Sequence, residues 1–385
     1  MQMADNIVNS FMSLQTHEWV ILLIFSLLFF LRTIYLIFFT GRVLFIKNNN
    51  SDSKEPLSLI MALRNEEAAL SVGLPFLLNI SDAEYELIAV DDFSSDNSLT
   101  ILGALKEKYE RLRFSALSQE TWYSVKMAQN VAIKATKFSR VMLIPPALSK
   151  FQPQWLSEIS SKAGSEKEVV ISYSNIQHDG TFFNLLYRIE FFLQQIRSFG
   201  FIINGLPYII SEENVAFKKD RYFAAGGYRN KVNELYANLE LIINSFIKKR
   251  HTEIIFSGNT AVYKEEKVTS RNYFDLLKKE IRIRRYLPLS RKITLSLEEI
   301  SGCSFIPFAV VLLLVVPGLW PVTAGMLLIP AIIRMVIIKK AISHLHESKL
   351  LLSSLIYALL LPCFKLTYRF CYNHNSRRKG WKSRK

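Results

Sequence analysis

Tyr85-Glu86-Leu87-Ile88-Ala89-Val90-Asp91-Asp92-Phe93-Ser94-Ser95-Asp96 decides the fold: a short apolar run ends in two carboxylates, and a Ser/Asp turn follows. Asp96 then opens a helical pattern, as a short acid at a helix start does. The same sentence is written just upstream, where Leu57-Ser58-Leu59-Ile60-Met61-Ala62-Leu63 gives way to Arg64-Asn65-Glu66-Glu67 and a second helical pattern. Downstream, Leu112 to Leu117 leads to a helix expected over Trp122 to Lys137, and Val141 to Pro145 supplies a fourth strand. Strands alternating with helices predict βαβ units and an α/β domain with a mostly parallel sheet, placed at 56–268. Ligands of such sheets sit at the carboxyl ends of the strands, so the residues just after each run are the candidates.

The flanks have a different character. Half of the 385 residues are apolar, and residues 19–40 form one run of membrane-spanning length interrupted by Arg32. Residues 1–18 contain no Lys or Arg, whereas Arg42, Lys47 and Lys54 follow the run. The positive-inside rule then predicts an extracytoplasmic N-terminus (1–18), a retained anchor (19–40), a linker (41–55) and a cytosolic main domain. Beyond it, 269–302 reads as interfacial amphipathic helices and 303–340 as two transmembrane helices. A re-entrant or interfacial segment is expected at 341–371, because a full span there would export the basic tail, 372–385. This is a multi-pass protein of the inner (cytoplasmic) membrane in expectation. The net charge of +15 lies beside these hydrophobic segments and no nucleic-acid-binding motif is visible, so membrane lipid is the expected partner and nucleic acid is not. The three cysteines have no metal-ligand spacing.

Within the domain, Asn65 reads either as a cap for the following helix, with Glu67 favouring its positive end, or as a nucleotide contact. A carboxylate fixed at Asp91 or Asp92 can accept from the N–H of a uracil ring. The stretches Ser58-Leu-Ile-Met-Ala-Leu-Arg-Asn-Glu-Glu67 and Val90-Asp-Asp-Phe-Ser-Ser-Asp-Asn-Ser98 resemble the first-strand and V-D-D-x-S-x-D motifs of family-2 glycosyltransferases. Asn214-Val215-Ala216-Phe217, Gly226-Gly227-Tyr228 and Trp381-Lys382-Ser383-Arg384 follow in the order seen in membrane-anchored, Bacteroidetes-type members. The resemblance implies a nucleotide-sugar-binding, GT-A-like domain with UDP or a UDP-sugar as ligand. It places Asn65, Glu67, Asp91, Asp92 and Lys126 at the nucleotide; Lys126 also reads as a plain helix-surface residue.

The same resemblance exposes departures at the reactive positions. The family's metal-binding Asp-x-Asp falls on Pro145-Pro146-Ala147, which has no carboxylate to hold a cation on a diphosphate. Its acidic loop, source of the general base, falls on Asn238-Leu239; Asn takes no proton at neutral pH and Leu has no polar group. Glu240 is a weak substitute, otherwise expected to be a solvated helix residue. Its Gln-x-x-Arg-Trp appears as Arg282-Ile283-Arg284-Arg285-Tyr286, so Arg282, Arg285 and Tyr286 are the acceptor or phosphate candidates, although a basic interfacial helix accounts for them equally. Ser211-Glu212-Glu213 replaces a Gly-rich, Arg-containing stretch, and its two acids are expected to be solvated. A coherent scaffold without its reactive groups implies a catalytically degenerate relative, a pseudoenzyme or partner subunit of an active glycosyltransferase or polysaccharide-assembly protein. The alternative is an active enzyme moving a sugar to a lipid or polysaccharide by a metal-independent or rearranged site. No cofactor is expected; Mg²⁺ or Mn²⁺ enters only if the degenerate reading fails.

Overall fold

The computed structural model describes residues 8–46, 54–120, 124–164 and 166–382. Residues 47–53 of the predicted linker lie outside these, as does Trp122. The chain divides into a globular unit, Val43–Leu287 with Ser343–Ser348, and a helical unit formed by the rest.

The globular unit is built on a seven-stranded sheet of order β3-β2-β1-β4-β8-β6-β9. Its strands are β1 (Leu57–Leu63), β2 (Tyr85–Asp91), β3 (Leu112–Ala116), β4 (Arg140–Leu143), β6 (Val169–Ser172), β8 (Val215–Lys218) and β9 (Thr252–Ile255). Only β8 runs antiparallel to its neighbours, so the mostly parallel sheet read from the sequence is present. β1 and β2 are buried nearly throughout, as continuous apolar strands covered on both faces must be. A second, three-stranded sheet joins β5 (Leu148–Lys150), β10 (Val262–Lys264) and β7 (Ser174–Ile176).

Two features aim the site. After β1 the chain builds β2 and β3 on one side, then returns to place β4 on the other, which opens a crevice at the carboxyl ends of β1 and β4. Helix α2 (Glu67–Leu78), which follows α1 (Thr16–Ile34) in the chain, packs directly on the second sheet: a Cβ on Gly73 would stand 2.4 Å from the Leu148 carbonyl. Its inner residues Leu70, Leu74 and Leu77 share one core with Leu59, Met61, Leu87 and Trp155. The remaining helices of this unit are α3 (Ser98–Lys108), α4 (Ser124–Ala135), α5 (Trp155–Lys162), α6 (Phe182–Ile203), α7 (Lys219–Ala224), α8 (Leu239–Phe246) and α9 (Ser270–Tyr286).

The helical unit holds α1, α10 (Leu289–Val315), α11 (Trp320–His344) and α12 (Leu351–Lys382). Three segments are long and apolar enough to cross a membrane: Thr16–Phe45, Leu289–Val315 and Pro317–His344. The bent pair Leu351–Leu360 and Pro362–Asn373, turned by 55°, meets the same test when taken together. The expected break between interfacial and spanning helices near residue 302 does not occur. The chain breaks at Leu287-Pro288, where proline disfavours helix in the residue before it, and α10 then runs unbroken from polar into apolar sequence.

Candidate functional site

The loops after β1 and β2 are stitched to each other. Asn65 sits in the left-handed region (φ 55°), which its short amide tolerates, and its Oδ1 accepts from Ser95 N at 2.8 Å and Ser95 Oγ at 3.2 Å. It therefore does not cap α2, because its side chain is turned across to the second loop. Asp96 serves that end instead: Oδ2 accepts from Glu67 N and Oδ1 from Ser98 N, each at 3.0 Å, so one carboxylate satisfies the first turns of α2 and α3. The Glu67 carboxylate returns the contact, accepting from Asn97 N and Nδ2 at 3.2 and 3.0 Å. Asp91 is fully buried and accepts from both the backbone N and the hydroxyl of Ser94, while Asp92, 1% exposed, donates its backbone N–H to Leu63 O at 2.8 Å. Both acids stand at the crevice, but the visible role of Asp91 is to shape the turn.

At the β4 side, Pro145-Pro146-Ala147 turns the chain into β5, with Leu148 N donating to Pro145 O at 3.2 Å and Glu265 N to Ala147 O at 2.9 Å. Among the described residues no group of three or more His, Cys, Asp or Glu side chains is arranged to hold a metal. The acids expected to be solvated are not. Glu213 holds the Lys264 ammonium at 2.8 Å, and Glu266 holds it from the other side at 3.0 Å.

Glu212 belongs to a buried network around Asn238 and Leu239. Its Oε2 accepts from Leu239 N at 2.7 Å; its Oε1 accepts from Asn238 Nδ2 and from Gln129 Nε2, both at 3.4 Å. Tyr228 donates to the Gln129 carbonyl, a contact made possible by the Gly226-Gly227 turn, whose positive φ angles glycine adopts without strain. Glu240 is fully buried, corrected from a solvated helix residue. It accepts from Asn238 N at 3.1 Å and pairs with Lys279 Nζ at 3.0 Å. Burial, then the neighbouring Glu240 charge, pushes the Glu212 carboxyl up to about 8, so this pair of acids holds a proton at neutral pH. For Lys279 the burial penalty is more than offset by Glu240 and Glu212, and its ammonium is held well above its ordinary range.

Lys126 is not a surface residue either. It is 6% exposed and donates to the Glu234 backbone carbonyl; burial lowers its pKa against the pull of Glu240, Glu234 and Glu212. The Glu234 carboxylate in turn takes Arg282 Nε at 2.5 Å and the Tyr286 hydroxyl at 3.3 Å. Arg285 is exposed on the same helix. The structure thus brings together Lys126, Asn238, Leu239, Glu240, Arg282 and Tyr286, and separately Asn65, Glu67, Asp91 and Asp92. Sequence reasoning missed Glu212, Glu234 and Lys279 as members. One signal was available for the last: Lys279, Arg282 and Tyr286 fall at i, i+3 and i+7, a single stripe of α9.

Comparison with known proteins supplies independent information. Residues 58–210 match the profile described as Glycosyl transferase family 2. No curated protein matches the chain. Among solved structures, a mannosyltransferase from Pyrobaculum calidifontis in complex with GDP-Man and Mn²⁺ is similar at 14% identity and a TM-score of 0.53, over 89% of this chain and 98% of that one. S. aureus TarS 1–349 in complex with UDP-GlcNAc is similar at 15% identity and a TM-score of 0.44, over 84% and 92% of the two chains.

Proposed function

We propose that this chain, which carries a family-2 glycosyltransferase domain, is a catalytically degenerate member that keeps a nucleotide-sugar crevice and works beside an active glycosyltransferase or polysaccharide-assembly protein. The observation that carries this reading is the network around Asn238-Leu239. The carboxylates nearest the family's base position, Glu212 and Glu240, are buried, proton-sharing and tied to Lys279, and Pro145-Pro146-Ala147 offers no oxygen ligand from a side chain. A general base must reach the acceptor hydroxyl, and a diphosphate leaving group must have its charge neutralised. Neither requirement is met by these side chains in this arrangement.

The crevice between the β1 and β4 ends, edged by Asn65, Glu67, Asp91 and Asp92, is the proposed seat of a nucleoside diphosphate or its sugar, with membrane lipid around the helical unit. The proposed location is the inner membrane, with the globular unit in the cytosol. Charge distribution supports that orientation, and so does connectivity: the chain leaves the globular unit at Leu287, runs through two apolar helices and re-enters it at Ser343. A second reading, sugar transfer through a rearranged site, is favoured by one fact: burial beside Glu240 raises the Glu212 carboxyl to about 8, near neutral pH, where a carboxyl that stays desolvated can give up and take back a proton.

The test is titration of the detergent-purified full chain with UDP, GDP, UDP-GlcNAc and GDP-mannose, with and without Mn²⁺, alongside an assay for released nucleotide. Binding indifferent to Mn²⁺ and free of turnover is the expected result. Metal-stimulated turnover overturns the degenerate reading, turnover without metal that is lost in Glu212→Gln establishes the second, and no binding of any nucleotide removes the crevice as a site.

A further inference from the structure

The helical unit carries charge where apolar helices ordinarily carry none. Arg32 on α1, Glu298 on α10 and Arg334 on α11 lie 11, 11 and 9 residues along the chain from Val43, Leu287 and Ser343, the limits of the globular unit. At a rise of about 1.5 Å per residue, all three stand roughly 14–17 Å along their apolar segments from those limits, at similar levels. Ionisable side chains at such a level in membrane helices are costly and mark sites.

Their packing is specific. A Cβ on Gly302, one turn beyond Glu298 on the same stripe of α10, would stand 2.6 Å from Arg32 Nη1 and 2.9 Å from Pro362 Cγ; only glycine leaves room for the guanidinium there. Arg32 is 9% exposed, and its Cζ lies 6.0 Å from the centre of the Phe305 ring, one further turn along. On α12, Pro362 has no N–H for the carbonyl four residues back, that of Ala358, and Arg334 Nη1 donates to this oxygen at 3.0 Å. The two guanidinium groups therefore gather at the bend of α12. They act electrostatically on each other, and Glu298 is the carboxylate that faces both. Glu299, next in sequence, is paired with Arg369 at 2.8 Å. On the same stripe of α10, one heptad before Glu298, Arg291 has an Nη1 that is buried without a hydrogen-bond partner among the described residues. Arg291 lies about 10 Å nearer the start of α10; in the layer itself Arg32 and Arg334 share one carboxylate, Glu298, and in a low-dielectric setting such an excess of positive charge calls for an anion.

We propose that the pair of guanidinium groups of Arg32 and Arg334, gathered at Gly302 and the α12 bend, binds the phosphate of an anionic membrane lipid. A guanidinium offers its fork of donors to phosphate oxygens, and the exposed Ile332, Met335, Val336 and Leu359 on the flanking helices give acyl chains an apolar surface to lie along. The apolar flanks select a lipid over free phosphate, because only a lipid brings acyl chains to cover them. The inference rests on α1, α10 and α11 being membrane helices.

The experiment is native mass spectrometry of the detergent-purified full chain after exchange with phosphatidylglycerol or phosphatidylcholine, with inorganic phosphate as a third arm. Wild-type protein should retain phosphatidylglycerol at least about tenfold more than phosphatidylcholine. Arg32→Gln should abolish that preference and Arg32→Lys should keep part of it. Arg334→Gln also removes the donor at the α12 bend, so Arg32→Gln, which leaves that hydrogen bond in place, is the discriminating variant. Equal retention of the two lipids, or an unchanged preference in Arg32→Gln, overturns the proposal; saturation by inorganic phosphate that displaces phosphatidylglycerol overturns the lipid assignment. Release of the chain from membranes by alkaline carbonate would instead refute the membrane reading, which the lipid arms do not test.

Discussion

The two halves of the candidate site are held by different physics. Around β1 and β2, Asn65, Glu67, Asp91 and Asp96 keep the residue types of a familiar motif and use them on backbone N–H groups and neighbouring polar side chains. Around Asn238 and Leu239 charge comes from Glu240 beside them on α8 and from two distant positions, Glu212 before β8 and Lys279 on α9. The first half is a set of contacts at one turn surface, mostly from carboxylates to main-chain donors. The second is a desolvated ion cluster in which each member compensates another, so its members are not separable.

Breaking the cluster gives the largest expected effect. Lys279→Met leaves Glu240 buried without its cation, and removal of one partner from a buried pair costs about 3–5 kcal/mol. Adding Glu240→Gln to Lys279→Met removes the uncompensated charge and should recover most of the loss. Chemical denaturation of the full chain in detergent, read by the fluorescence of its tryptophans, measures both. If Lys279→Met costs less than about 1 kcal/mol, the two halves do not differ in the way argued.

These differences explain what the sequence disclosed. The alternation of strands and helices, the mostly parallel sheet and the turn chemistry after β1 and β2 were legible because each depends on contiguous residues, an apolar run followed by turn and cap chemistry. Glu212, Glu213 and Glu240 were misjudged as solvated, because burial of an acid depends on partners that are not its sequence neighbours: Lys279 is 39 positions from Glu240, and Lys264 is 51 from Glu213. Of the two readings of Asn65, the cap fails because a helix start and a left-handed turn use the same short polar side chains.

The shared proton supplies a second, pH-dependent distinction. The folded-state pKa of Glu212 is raised from 4.5 to about 8, so between these values the folded chain binds more protons than the unfolded one. Its contribution to stability is fully present below about pH 4.5 and is lost as pH rises through about 8. Melting curves from pH 5 to pH 9 should therefore fall more steeply for wild type than for Glu212→Gln, which keeps an acceptor for Leu239 N and has no proton to lose. Parallel curves would mean that Glu212 is ionised in the fold, and that the cluster is an ordinary ion pair.

The smallest expected effect is in the first half, at Asp96. Asp96→Ala removes the acceptor for Glu67 N and Ser98 N, two N-terminal donors on different helices. Loss of one helix cap costs about 0.5–2 kcal/mol; Glu67 is half-buried, so water can replace part of its bond, whereas Ser98 is buried. A loss of about 1–2 kcal/mol is expected. Asp96→Asn, which keeps an oxygen for one of the two amides, should lose less. The decisive control is salt: contacts between a carboxylate and backbone amides at a partly exposed turn are weakened as ions screen it, whereas a desolvated cluster is screened far less. Raising NaCl from 0.05 to 0.5 M, roughly a threefold shortening of the screening length, should shrink the Asp96→Ala deficit and leave that of Lys279→Met almost unchanged. If both deficits respond alike, the cluster is open to solvent, and the burial that separates the two halves of the site is not what holds them.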